Sequence, residues 1–123
     1  MLLILIMKGL ELMLRLTTQS FKSELQKNPA PAVVMFYAPW CGTCAMMRPI
    51  VENLEKRCQK KYPGKLRFFE VDTTASELLM AQYQIDLLPT FLLFQNQQIL
   101  AVMQGMIPEQ EFESRLLQFI DHR

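Results

Sequence analysis

The chain has 123 residues, enough for one domain with its own hydrophobic core and too few for two. Half of the residues are hydrophobic and a fifth are charged, the composition of a folded protein rather than a disordered one. Thirteen Lys and Arg against twelve Asp and Glu leave a net charge of +1, which excludes electrostatic capture of nucleic acid or of an anionic membrane as the main function. A single histidine, His122, removes Cys-His proteolysis and most histidine metal sites. Three cysteines are too few for a disulfide scaffold, and two of them lie two residues apart, a spacing that points to chemistry.

Residues 1–13 read as an extension of open role, and residues 14–121 as the domain. Leu2 to Met7 is apolar but too short to span a bilayer, has no positive charge in front of it and is followed by no small-residue cleavage site. An extra strand, a helix start, or initiation at Met7 or Met13 all fit this segment, and a cytoplasmic location is favoured over an exported one.

Leu14 to Leu16 reads as a short strand, and Thr17-Thr18 as the cap of a helix carrying Phe21 and Leu25. Ala32 to Ala38 is continuously apolar, the pattern of a central strand buried on both faces. From Cys41 onward, Met47, Ile50, Val51, Leu54 and Cys58 recur at helical spacing, predicting a long helix that ends near Tyr62-Pro63-Gly64 and is kinked by Pro49. Its basic end, Lys56, Arg57, Lys60 and Lys61, reads as a solvated helix terminus. Leu66 to Val71 is a further apolar strand, after which Thr74-x-x-Glu77 matches a capping box for a helix with Leu78, Leu79 and Tyr83. Thr90 to Phe94 and Ile99 to Met103 predict an antiparallel hairpin across Gln95 to Gln98, and Pro108 fits the first position of a last helix lined by Phe112, Leu116 and Ile120. The pattern βαβαβαββα predicts an α/β fold: a central mixed sheet, with a parallel core and an antiparallel hairpin, flanked by helices on both faces.

Cys41-Gly42-Thr43-Cys44 follows the central strand directly and opens the long helix. Helix N-termini favour negative charge through their unpaired backbone N–H groups, the setting in which Cys41 would be the attacking thiolate of disulfide exchange. Cys44, one turn further in and more buried, would then attack Cys41 and release the reduced substrate. Zinc needs four ligands, and Cys41, Cys44, Cys58 and a distant His122 supply no second pair. Cys58 lies about 21 Å along the helix from Cys44, too far to pair with it, and reads as a buried structural thiol.

Phe36-Tyr37-Ala38-Pro39-Trp40-Cys41-Gly42-Thr43-Cys44 resembles the active-site segment of thioredoxins and of protein disulfide isomerase domains. Pro49 matches the helix proline of this family, Leu88-Pro89-Thr90 its cis-proline loop and Gly105 its late glycine, so that the resemblance covers about residues 14 to 121. It implies a thioredoxin fold in which Cys41 and Cys44 form the redox-active pair. It also implies that Pro89 turns toward the sulfurs, that the backbone at Leu88 pairs with an extended substrate, and that Trp40, Gly42, Thr43, Leu88, Pro89 and Met106 border the substrate. The expected partners are protein disulfides or dithiols and a reductase or electron-donor protein for regeneration, with no cofactor, metal, nucleic acid or membrane.

The family usually carries a buried acid six residues before its first cysteine, a position held here by Met35, and a lysine partner that aligns with Phe68. Without the acid, resolution by Cys44 is expected to be slow. Ala45 stands where a lysine is common, and Gly42-Thr43 between the cysteines leaves the redox direction open. A reductant of protein disulfides is the leading reading. An oxidase or isomerase in an oxidising compartment, suggested by Tyr37-Ala38-Pro39-Trp40, and a binding module with incidental turnover are the alternatives.

Overall fold

The strand β2, Ala32–Tyr37, is buried at all six positions, and the rest of the sheet is arranged around it. The structure is a computed structural model that describes residues 12–120; the run Leu2 to Met7, most of the N-terminal extension, and His122 lie outside the described residues. β2 pairs in parallel with β3 (Arg67–Asp72) and antiparallel with β4 (Thr90–Gln95). β1 (Leu14–Arg15) adds in parallel beyond β3, and β5 (Gln98–Gln104) antiparallel beyond β4, giving the order β1-β3-β2-β4-β5. This is the expected mixed sheet, with its parallel core and terminal hairpin.

Because successive side chains of a strand point to opposite faces, β2 divides the core in two. Val33, Met35 and Tyr37 pack with Cys44, Met47, Val51, Leu54 and Cys58 of helix α2 (Gly42–Lys61) and with Phe112 and Leu116 of α4 (Glu109–Leu117). Ala32, Val34 and Phe36 pack with Phe21 of α1 (Phe21–Gln26) and Leu79 of α3 (Glu77–Gln82). Helices thus cover both faces. Phe91 and Phe112 meet edge to face at 4.9 Å and join the sheet to α4. No helix among the described residues is long and apolar enough to cross a membrane.

Several local expectations are corrected by hydrogen bonding. Thr74 does not cap α3: its N–H and hydroxyl both donate to Asp72 Oδ1, at 2.9 and 2.6 Å, and the N-cap is Ser76. An Asx turn at the end of β3 has taken the side chain that a capping box would use. Of the apolar residues named for this helix, Leu79 is buried and Leu78 is 72% exposed. Thr17 and Ser20 bond to each other before α1, which therefore starts at Phe21 with Ser20 as N-cap. Pro108 is the N-cap of α4 rather than its first residue, and Ile120 is buried just beyond the helix end. The hairpin turn is only Asn96-Gln97, both at positive φ as a two-residue turn of this hand requires.

Two arginines make contacts that spacing does not disclose. Arg67 reaches from β3 to donate to the carbonyl oxygens of Glu24, Leu25, Asn28 and Ala30, so the short helix α1 ends on a guanidinium. Arg57, in the basic run expected to be solvated, bonds Glu113 at 2.7 Å and Glu109 at 3.1 Å, linking α2 to α4.

Glu55 interrupts the apolar stripe of α2 and is 6% exposed. Its Oε1 accepts the Met13 N–H at 2.8 Å, fixing the chain as it enters β1. Burial, reinforced by Glu52 and Glu70 and opposed by the Met13 N–H, pushes the carboxyl up from 4.5 to about 7. The folded chain therefore holds a proton that the unfolded chain has lost between these values, and stability should fall as pH rises through that window. Glu55→Gln keeps an acceptor for Met13 and abolishes the ionisation. Urea unfolding from pH 4.5 to 8 should show the variant gaining on the parent by on the order of 2–3 kcal/mol at the alkaline end. Equal pH slopes for the two proteins would refute this account.

Candidate active site

The site is built where β2 becomes α2. After Tyr37 the chain turns, the Cys41 N–H bonding the Ala38 carbonyl at 3.1 Å, and Cys41 takes an extended conformation as N-cap of the helix. Its sulfur accepts the Cys44 N–H at 3.2 Å, and its carbonyl accepts the Ala45 N–H at 3.2 Å. A sulfur thus occupies the position that a Ser or Asp oxygen fills in an ordinary N-cap. That is the end of a helix where negative charge is best accommodated.

Both cysteines are free thiols, Cys41 partly exposed and Cys44 2% exposed. The Cys44 thiol is pushed up to about 11, first by burial and then by its hydrogen bond to Cys41, while a backbone hydrogen bond from Ala38 and the charge of Arg48 act the other way. The pair is asymmetric: an accessible sulfur in front and a buried, protonated one behind it. Cys58 is also buried, its thiol pushed up to about 11 chiefly by burial, and it packs in the core on the same side of the sheet. Among the described residues no three His, Cys, Asp or Glu side chains converge to hold a metal ion.

The expected border residues arrive by two routes. Trp40, Gly42 and Thr43 flank the cysteines along the chain; Trp40 is 76% exposed, and a Cβ on Gly42 would meet nothing within 4 Å. Leu88 and Pro89 are brought in by register, because Phe36 pairs with Thr90 and the loop before β4 therefore lies beside the end of β2. The Leu88–Pro89 bond is cis. The Pro89 carbonyl accepts the Gly105 N–H at 2.9 Å, and Gly105 has φ +76°, a conformation costly for any residue with a Cβ. The half-exposed Met106 follows directly, so Trp40, Leu88 and Met106 present apolar surface at the same end of the sheet as Cys41.

Met35 and Phe68, which stand at the positions of the family's acid and its lysine partner, are both buried in the same half of the core. Phe68 lies opposite Val33, and the residue beside Met35 on β3 is Glu70. Parallel neighbours share a face, so Glu70 lies on the same side of the sheet as Met35 and reaches Arg48 of α2. Glu70 Oε2 takes Arg48 Nη2 at 2.9 Å, and Arg48 also lies 4.0 Å from Glu52. The Arg48 guanidinium is 4.9 Å from the centroid of the Tyr37 ring, and the Tyr37 hydroxyl accepts Arg15 Nη2 at 2.7 Å. Tyr37 stood in the motif without a role of its own, and Arg48 and Glu70 were not marked by it. The available signals were Arg48 four residues after Cys44 and a lone acid in an apolar strand.

This geometry orders thiol reactivity. With reduced protein at neutral pH, iodoacetamide should label Cys41 and leave Cys44 and Cys58 unmodified until the chain is unfolded, as read by peptide mass spectrometry. Labelling of Cys44 as fast as Cys41 would contradict the arrangement described.

Comparison with known proteins agrees with the site. The thioredoxin family model matches residues 12–118. Relatives include a thioredoxin of Porphyra purpurea, 30% identical over 86% of this chain and 95% of its own length. Another is thioredoxin 1 of Nostoc sp., 32% identical over 77% of this chain and 85% of its own length. A third is the chloroplastic thioredoxin Y of Oryza sativa subsp. japonica, 35% identical over 81% of this chain and 60% of its own length. With a dithiol at the N-cap of the helix after the central strand, a cis-proline loop beside it and a family match over nearly the whole domain, the chain belongs to the thioredoxin family of protein thiol–disulfide oxidoreductases.

Proposed function

We propose that residues 14–121 act as a reductant of protein disulfides, with Cys41 as nucleophile and Cys44 as resolving thiol. The observation that carries this reading is the asymmetric pair itself: a partly exposed Cys41 sulfur receiving the Cys44 N–H at the helix N-cap, and a buried Cys44 thiol behind it. The Cys41 thiolate attacks one sulfur of the substrate disulfide, whose other sulfur leaves as a thiolate and takes up a proton. Cys44 then loses its proton and attacks Cys41, closing the Cys41–Cys44 disulfide and releasing the second substrate thiol. Two electrons and two protons pass from the dithiol to the substrate.

Trp40, Gly42, Thr43, Leu88 and Pro89 border the substrate in this reading. Trp40 contributes apolar contact, Gly42 leaves open space beside the nucleophile, and the Leu88 backbone aligns an extended substrate segment by strand addition. The substrates are protein disulfides, and a reductase or electron-donor protein returns the pair to the dithiol. Intact Cys41, Cys44, Trp40 and Pro89 stand against the binding-module alternative, since a purely structural domain has no need of a reactive dithiol.

The discriminating measurement is the fraction of Cys41–Cys44 disulfide across glutathione buffers of graded potential, read by alkylation and mass spectrometry. A midpoint near about −270 mV is expected, whereas about −180 mV or higher would make the chain an oxidase or isomerase. Cys41→Ser should abolish turnover, and Cys44→Ser should trap substrate on Cys41; full activity in either variant would refute the assigned roles.

A further inference from the structure

Resolution sets a physical problem at Cys44. The thiolate is the attacking form, and a thiol buried in apolar surroundings resists ionisation. Met35 beneath it cannot accept a proton. The sequence alone left this as a reason to expect slow resolution, but the structure places an ordered cation within one helical turn.

Arg48 is four residues after Cys44 on α2, and residues so spaced share a helix face about 6 Å apart. Its guanidinium is held from three sides: Glu70 from β3 at 2.9 Å, the Tyr37 ring from β2 at 4.9 Å, and Glu52 from α2 at 4.0 Å. Arg15 of β1 donates to the Tyr37 hydroxyl and braces the ring in turn. Cys41 and Arg48 act on the Cys44 thiol, and the charged groups around Tyr37 and Arg48 are Glu52 on α2, Arg15 on β1, and Glu70 and Asp72 on β3. Arg48 is the cation of this group that shares the helix with Cys44. In partly dry surroundings a charge at such a range acts more strongly than it would in water.

We propose that Arg48, anchored by Glu70 and Tyr37, is a positioning residue for the resolving step, its charge stabilising the Cys44 thiolate that attacks the Cys41 mixed disulfide. The inference rests on the reading of Cys44 as the resolving thiol. Arg48 pulls the Cys44 thiol down against the burial that pushes it up, the direction the role requires. Glu70 is assigned the positioning role here, its Oε2 accepting Arg48 Nη2 at 2.9 Å and fixing the guanidinium. A pair needed only to fill the space beside Met35 would be served as well by two apolar residues.

Mixing the reduced protein with one equivalent of dithiobis-nitrobenzoate separates the two steps. The first thionitrobenzoate leaves as Cys41 forms the mixed disulfide, and the second leaves as Cys44 displaces it and the Cys41–Cys44 disulfide closes. Followed by absorbance from pH 6 to 10, below the titration of Cys44 at about 11, the second phase should quicken with pH, and Arg48→Gln should displace that profile up by about one pH unit, slowing the phase about tenfold at each pH. Arg48→Lys should restore most of the shift. The double variant Arg48→Gln with Glu70→Gln leaves no buried carboxylate without its partner, and its profile should also be displaced. A wild-type profile in the double variant, whatever the stability of the single one, would overturn the proposal, because the pair would then be structural. If the unmodified protein released no second thionitrobenzoate, or Cys44→Ser still released it, the assignment of Cys44 would fail, and this inference with it.

Discussion

The hydrogen bond from the Cys44 backbone to the Cys41 sulfur ties the fold to the chemistry. It exists because β2 is buried along its whole length and delivers the chain to the first turn of α2 at a fixed point. A strand covered on both faces has no freedom to slide, since a shift of one residue would exchange every side chain between the two halves of the core. The nucleophile is therefore held by the centre of the sheet. The Leu88–Pro89 loop is placed by the same strand, through the pairing of Phe36 with Thr90. Two segments distant in sequence meet at the site because both are in register with β2.

Much of this was legible in the residues. The unbroken apolar run Ala32 to Ala38 marked the central strand, the stripe from Met47 to Cys58 marked the helix, and Cys41 to Cys44 fell at their junction. What was not legible depends on which groups compete for a hydrogen bond or which strands lie side by side. Thr74 satisfied the spacing of a capping box, yet Asp72 two residues earlier offered a nearer acceptor and took it. Glu55 drew no reading from its spacing, because its partner is a backbone N–H at Met13, 42 residues away. Phe68 was matched to the family's lysine by alignment, and it packs in the same half of the core as Met35. Glu70 directly beside Met35 was not marked, because strand pairing is set by the register of two whole strands.

Glu70 adds to the physical account of the missing acid. The neutral replacement of a buried charge pair by two apolar side chains is self-consistent, because neither charge is stranded, and Met35 and Phe68 are both buried. The chain also places a carboxylate on β3 beside Met35 and brings its compensating cation from the helix that carries the cysteines. The pair remains balanced, but the member nearest Cys44 along the chain is now positive.

That arrangement bears on a conflict inherent in a buried resolving thiol. Burial holds Cys44 against the core in line with Cys41, and the same burial keeps it protonated. Loosening the packing would ease ionisation but lose the alignment on which attack depends. A neighbouring acid answers the conflict by accepting the proton, and a fixed cation answers it by lowering the energy of the anion left behind. A cation serves only if it cannot swing away into solvent, where water would screen it. Arg48 is partly exposed, and the contacts from Glu70, Tyr37 and Glu52 keep its charge directed inward. On the proposed role of Arg48, the geometry of those anchors governs the site as much as the identity of the charge does, and Arg15 bears on that geometry through the hydroxyl of Tyr37.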